Sequence, residues 1–262
     1  IQLFLNKMKK NAYILFKFFI FSLITIMCVF FMSCGLDVYY ILYPPSEAKV
    51  VNEETDALGR YFSFKTADVE NASMDIFTGT TVLYKIYNNQ SQLLSDSFSI
   101  NNYNEELSEK GYNRAYALGY QQLNISNNDT PLVAKSGQNR TVEIRLFTEG
   151  YVNNPYEAGI KVSGQYIMDG NDYAIPLREN NTTFAFYSSS KNTVVNGVPY
   201  SNNIPNQEDI DVKYTQASSV ADDVWYVNAY AVSVGMTSDF SYKHSALESL
   251  GYIVIDKSDF NN

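Results

Sequence analysis

Cysteine is nearly absent from this chain: 262 residues hold two, Cys28 and Cys34. Histidine and tryptophan occur once each, as His244 and Trp225. One imidazole and two thiols exclude a two-histidine or multi-thiolate metal centre, so no metal and no cofactor is expected. A Ser-His-Asp constellation would have to use His244, and no Gly-x-Ser-x-Gly elbow accompanies it. Phosphate loops and dinucleotide fingerprints are missing too. Basic residues are outnumbered, nineteen Lys and Arg against twenty-eight Asp and Glu, for a net charge of −9. An acidic surface repels phosphate backbones, which excludes nucleic acid as a partner.

Long hydrophobic runs are missing as well, with one exception at the front. Lys7, Lys9 and Lys10 precede an apolar stretch from Ala12 to Met32, interrupted by Lys17, and Ser33-Cys34-Gly35 follow. A positive segment, an apolar segment and a small residue before a cut are the parts of an export signal. This arrangement resembles the lipobox of bacterial lipoproteins, in the relaxed form found in spirochaetes. It departs from the usual box at Phe31, where leucine is common, and at Met32. The resemblance implies a signal peptide over 1–33, cleavage between Ser33 and Cys34, and Cys34 as the lipid-attachment residue, carrying diacylglycerol and palmitate-type acyl chains. Ile1 to Lys7 are then expected to lie upstream of the true start at Met8. The competing expectation is an uncleaved membrane anchor, since 21 residues from Ala12 to Met32 reach roughly 30 Å at about 1.5 Å per residue. Both place the body outside the cytoplasm, because the lysines lie on the N-terminal side. The expected localisation is the cell envelope, at the outer membrane or a periplasmic face.

Residues 34–262 hold all twenty-eight acids but only fifteen of the basic residues, because the leader takes four lysines. With Cys28 removed and Cys34 acylated, the body has no disulfide, so packing alone must stabilise it. Its material is aromatic: 22 Tyr and 16 Phe in the whole chain, and Tyr suits half-buried strand positions. The segment 34–57, with Pro44-Pro45, reads as a lipidated N-terminus and extended tether. From 58 to 262 the pattern is that of strands.

Tyr61–Lys65 and Thr80–Tyr87 alternate at period two, the second with Val82, Tyr84 and Ile86 on one face. Thr141–Phe147 puts Val142, Ile144 and Leu146 on one side and Glu143 and Arg145 on the other. Gly159–Met168 and Tyr173–Leu177 flank Asp169-Gly170-Asn171-Asp172, a hairpin turn signal. Further strands are expected over Thr182–Tyr187, Ile210–Thr215, Val224–Val234 and Tyr252–Ile255. One helix is expected over Glu105–Gly119, with Asn102 as its cap and Leu107, Gly111, Ala115 and Leu118 on one stripe. Thr80–Tyr87, Trp225–Ser233 and Gly251–Ile255 resemble strands C, F and G of a fibronectin type III module. The fold class expected is therefore all-β, an antiparallel sandwich of immunoglobulin or fibronectin III type, with one short inserted helix and a long insertion at about 96–215.

Few residues carry catalytic chemistry. His244 in Tyr242-Lys243-His244-Ser245 reads as a loop histidine. Carboxylate pairs that could serve glycoside hydrolysis are Asp222-Asp223, Glu105-Glu106 and Asp209 with Asp211. Asp222 and Asp223 are adjacent, so a regular strand would send them to opposite faces. Asp169, Asn171 and Asp172 resemble part of a calcium loop but lack the distal Glu. Asn196–Gln207 and Gly150–Tyr156, rich in Asn, Pro and Tyr, are candidate binding loops. The expectation is a non-catalytic, lipid-anchored envelope lipoprotein with a binding or structural role. Its partners would be the membrane through the lipid, and an envelope protein or a glycan. The alternative is a glycan-directed hydrolase using a carboxylate pair.

Overall fold

The computed structural model describes residues 16–23, 40–52, 57–125, 131–146, 158–169, 172–174, 176–178, 182–183, 194–195, 198–199, 205, 207–216, 224–256 and 259. Contacts divide the chain into two units, Ile1–Tyr39 and Tyr40–Asn262. In the first, residues 16–23 are helical. Among the described residues no helix is long and apolar enough to cross a membrane. Ser33 and Cys34, the expected cleavage and lipid-attachment positions, lie outside the described residues.

The second unit begins earlier than the strand pattern suggests. Within the expected tether, β1 (Ser46–Val51) forms and pairs antiparallel with β2 (Tyr61–Lys65). Just ahead of it Leu42 is buried with Ile76 and Phe77. Asn71 holds the chain there, accepting from the Tyr43 N–H and donating to its carbonyl, at 2.8 and 2.9 Å. There follow β3 (Phe77–Tyr87), α1 (Gln90–Tyr103), α2 (Lys110–Ala117), β4 (Gln121–Gln122), β5 (Val133–Ala134) and β6 (Thr141–Arg145). Next are β7 (Gly159–Val162), β8 (Gln165–Tyr166), β9 (Met168–Asp169), β10 (Asp172–Tyr173), β11 (Leu177–Arg178) and β12 (Thr182–Thr183). The chain continues through β13 (Val194–Val195), β14 (Val198–Pro199), β15 (Val212–Lys213), β16 (Val224–Met236), β17 (Tyr242–His244) and β18 (Glu248–Asp256).

The strands build an all-β sandwich. One sheet runs β1-β2-β6-β7-β8, antiparallel throughout. The other is organised on two long neighbours, β3 and β16, paired antiparallel from Phe77 to Tyr87. Along its outer edge β16 takes β18 and then β17. Along its own, β3 takes β5, β4 and β15, the last in parallel. The strands resembling C, F and G are thus spatial neighbours in the order β3-β16-β18. Between the sheets, Phe62, Phe64, Val142, Ile144 and Ile160 meet Val82, Tyr84, Ile86, Val227, Ala229 and Ile253. Full burial of such side chains contributes roughly 1.5–3 kcal/mol each, which lets the sandwich hold without a disulfide.

β6 is half-buried as its alternation predicts: Val142 and Ile144 point inward, while Glu143 pairs outside with Arg145 and Lys161. β3 is not. Leu83, Lys85 and Tyr87, on the face opposite Val82, Tyr84 and Ile86, are buried as well, because the two helices cover that side of the sheet. Under them Leu83, Tyr87, Tyr230 and Val232 pack with Leu93, Ile100, Ala115 and Tyr120. The result is three layers: sheet, sheet and helices.

The helical layer corrects the expectation of one helix over Glu105–Gly119. Only Lys110–Ala117 of that segment is helical, and a longer helix, α1, precedes it. Asn102, expected as a cap, lies inside α1. Ser and Asn dominate α1 and compete with helical hydrogen bonds, so no clear amphipathic stripe announces it. It forms because Asn89 caps it, accepting from the Gln92 N–H at 3.1 Å, and because Leu93, Asp96 and Ile100 are buried. Gly159–Met168, expected as one strand, is split by a two-residue turn with Ser163 at φ 52° and Gly164 at φ 81°. That geometry joins β7 to β8 as a hairpin. The Asp169–Asp172 hairpin forms as expected, pairing β9 with β10.

Candidate functional site

On the helix-covered face of the seven-stranded sheet, α2, β4 (beside β3) and β17 (beside β16) line a groove of about 310 Å³. Tyr112, Tyr116, Tyr242 and His244 give it an aromatic side, and Gln122 and Asn124 bring side-chain amides. Pro131 and Val234 also line it. Tyr112 and Tyr116 sit four residues apart on α2 and therefore share a face. The β16–β17 turn is tied by Thr237, whose hydroxyl donates to the Ser241 carbonyl at 2.9 Å. β17 then pairs with the end of β16, Val234 opposite His244.

His244 is the best-held ring of the groove. Its imidazole stacks on Tyr112 with centroids 3.4 Å apart and planes 8° from parallel. Glu109, just before α2, lies 3.6 Å from its Nδ1 and 3.4 Å from Lys243 Nζ. Burial nevertheless dominates and pushes the His244 pKa down to about 4, against the attraction of Glu109. The ring is neutral at pH 7. The loop expectation for this residue is corrected: His244 ends a strand and is mostly buried. Tyr116 and Tyr242, in contrast, are 69% and 48% exposed. Among the described residues the Gln122 and Asn124 amides are half-buried and make no hydrogen bond to protein. Among the described residues the lining holds no Asp, Glu, Lys or Arg and His244 is neutral at pH 7, so these residues offer aromatic rings and amide dipoles.

A second polar cluster lies deeper, between sheet and helices. Lys85 Nζ is 3.8 Å from Asp96 Oδ2 and donates to the Leu118 carbonyl, which satisfies the α2 C-terminus. Tyr87 donates to Asp96 at 3.0 Å, and Tyr120 donates to Asn228 at 2.6 Å. Asn228 in turn donates to the Gly251 carbonyl at 2.8 Å. Burial lowers the Lys85 pKa while Asp96 pulls it back, and burial raises those of Tyr87 and Tyr120. These groups are buried and act as a polar rivet holding α1 and α2 to the sheet.

The expected carboxylate pairs fall in different places. Asp209 and Asp211 do come together, but around Arg178: the guanidinium grips Asp211 at 2.8 and 2.7 Å and Asp209 at 2.8 Å. Tyr84 donates to the same Asp211 at 2.8 Å. Burial works against the Arg178 charge, yet Asp211 and Asp209 outweigh it and raise its pKa. Glu105 is exposed and pairs with Lys110 at 2.6 Å, and Glu106 is exposed. Asp222, Asp223, Asn171 and the loop 150–156 lie outside the described residues, as do the side chains of Asp169 and Asp172 and most of 196–207. Among the described residues no three His, Cys, Asp or Glu are grouped to hold a metal.

The groove itself was missed at the level of sequence. Its one legible signal is the Tyr112/Tyr116 spacing; Gln122, Asn124 and Tyr242 reach it only through the fold. What the fold and groove define is a helix-covered β-sandwich with an aromatic groove. Comparison of the chain with family models, curated proteins and solved structures finds no match in any of the three.

Proposed function

We propose that this chain is an exported, lipid-anchored lipoprotein of the cell envelope with a non-catalytic binding role. The observation that carries it is the order Lys9-Lys10, apolar run, Ser33-Cys34-Gly35, which export and acylation enzymes read. The export reading agrees with a body whose buried residues hold together by packing and hydrogen bonds. The binding role is supported by the groove of Tyr112, Tyr116, Tyr242 and His244, which has stacking faces and half-buried amides. Hydrolysis by Asp209 and Asp211 is disfavoured, because Arg178 engages both carboxylates. The anchor is tested by growing cells expressing the chain with labelled palmitate. Label should enter the wild type and vanish in Cys34→Ala; label retained by Cys34→Ala overturns the proposal.

A further inference from the structure

We propose that one end of the sandwich, carrying Tyr40, Ile41, Tyr43, Val69, Met236 and Phe240, lies directly on a lipid bilayer and seats Phe240 among the headgroups. This rests on the membrane anchoring proposed above and names the surface of the body that meets the lipid.

Three segments meet at that end. Leu42 packs with Ile76 and Phe77, where β3 begins. The Met236 N–H, at the close of β16, donates to the Ile76 carbonyl at 2.8 Å, and Gly235 faces Phe77 across the sheet. Asn71, in the connection that carries Val69, holds Tyr43 and reaches Ser233 Oγ at 3.4 Å. Around this junction the six side chains named above are exposed, Phe240 to 79%. Tyrosine suits a bilayer interface, with its ring at the acyl boundary and its hydroxyl among headgroups, and Phe, Ile, Val and Met add apolar area. Chain length selects lipid as the occupant. The body takes up the chain from Tyr40 onward, so only 35–39 separate it from Cys34. Six residue steps reach at most about 22 Å in any conformation, whereas β3, from Phe77 to Tyr87, spans roughly 33 Å. A lipid on Cys34 therefore keeps the Tyr40 end near the bilayer and leaves too little chain to turn the Tyr87 end onto it. The presentation of Phe240 agrees. Its φ is 62°, a left-handed conformation that bulky residues seldom adopt. Thr237 ties the turn around it, donating to the Ser241 carbonyl at 2.9 Å and accepting from its N–H at 3.1 Å. The turn thus holds a bare benzyl ring in the open at a conformational cost. Acidic residues outnumber basic ones, 28 to 19, so the contact is apolar rather than an attraction to anionic headgroups.

The test uses the full-length chain reconstituted into phosphatidylcholine vesicles, with and without bromine on the acyl chains near the headgroup. Bromine quenches tryptophan on contact. Trp225 is 6% exposed, so the wild type gives the baseline. Phe240→Trp should lose about half of its added emission or more to the brominated lipid, because an interfacial ring sits roughly 5–10 Å into the headgroup boundary. Ile210→Trp should lose none: Ile210 is exposed beside β15, where Val212 faces Ile86 at the far end of β3. Adding Phe240→Asp to a Tyr43→Trp chain should cut that chain's quenching about twofold or more, since a carboxylate resists entry into the boundary. Aspartate tolerates positive φ, so the turn is kept. High salt should leave every signal unchanged. The proposal is overturned if Phe240→Trp is quenched no more than Ile210→Trp, if Phe240→Asp leaves the Tyr43→Trp signal intact, or if salt abolishes the quenching. Palmitate labelling is independent of this readout. A labelled chain whose Phe240→Trp form is unquenched overturns the lipid-facing end alone, and an unlabelled chain whose Phe240→Trp form is quenched overturns the acyl anchor alone.

Discussion

His244 is the chain's one imidazole, and it sits where water hardly reaches it. Its pKa falls from 6.5 to about 4 through burial. Between those values the unfolded chain binds a proton that the folded chain refuses, so stability rises with pH across this window. The contribution is complete above about pH 6.5 and lost as pH falls toward 4, at most about 3.5 kcal/mol at roughly 1.4 kcal/mol per unit. Urea midpoints measured at pH 7, 5.5 and 4.5 should fall for the wild type. His244→Phe keeps a ring on Tyr112 and should flatten that dependence; an unchanged slope would show that other groups cause it. Arg178 is the other decisive residue. Arg178→Leu leaves Asp211, 2% exposed, as an unpaired buried carboxylate, and should cost about 3–5 kcal/mol in a denaturant titration. Neither role was visible in the sequence. The residue types were plain, but a histidine's titration and a carboxylate's partner are properties of neighbours 135 and 33 positions away.

Elements were more legible. β2 and β6 were read from alternation, because one face of each meets the core and the other meets water. β3 and β16 were found as strands, but the burial of their second face under the helices was not read. α1 was missed because its Ser and Asn composition carries no periodic signal. Its attachment gives a prediction at this scale. Asp96→Ala strands the Lys85 charge under α1 and should cost about 3–5 kcal/mol, whereas Lys85→Met with Asp96→Leu should come close to neutral. Chemical denaturation of the two single variants and the double variant measures this; a double variant as unstable as the singles would refute the rivet. The close approach of β3 to β5 is equally checkable. A Cβ at Gly79 would lie 2.2 Å from the Val133 carbonyl oxygen, with φ at 153°. Gly79→Ala should therefore destabilise by about 3 kcal/mol or more, because the obstacle is backbone and cannot swing aside. A thermal midpoint unchanged from the wild type would contradict that packing.

At the scale of the whole molecule, the order of layers explains why a body rich in tyrosine needs no disulfide. The seven-stranded sheet is buried on both faces, by the five-stranded sheet through Tyr84 and Val227 and by the helices through Tyr87 and Tyr230. Tyr84, Tyr87 and Tyr120 keep their hydroxyls paired, on Asp211, Asp96 and Asn228, so those rings add apolar area without stranding a polar atom; the Tyr230 hydroxyl is buried without a hydrogen-bond partner among the described residues. The groove exists at the seam of these layers, where α2 meets the edge strand β17. By itself the sequence determined the period-two strands of a sandwich, and it alone carries the proposed export signal around Cys34. Those are local properties, carried by residue type and by spacing along a few positions. Only the tertiary structure decided the helical third layer, the Arg178 clamp and the meeting of Tyr116, Gln122 and Tyr242. Each brings together residues distant in sequence, and their contact energies are set by packing, which no local pattern encodes.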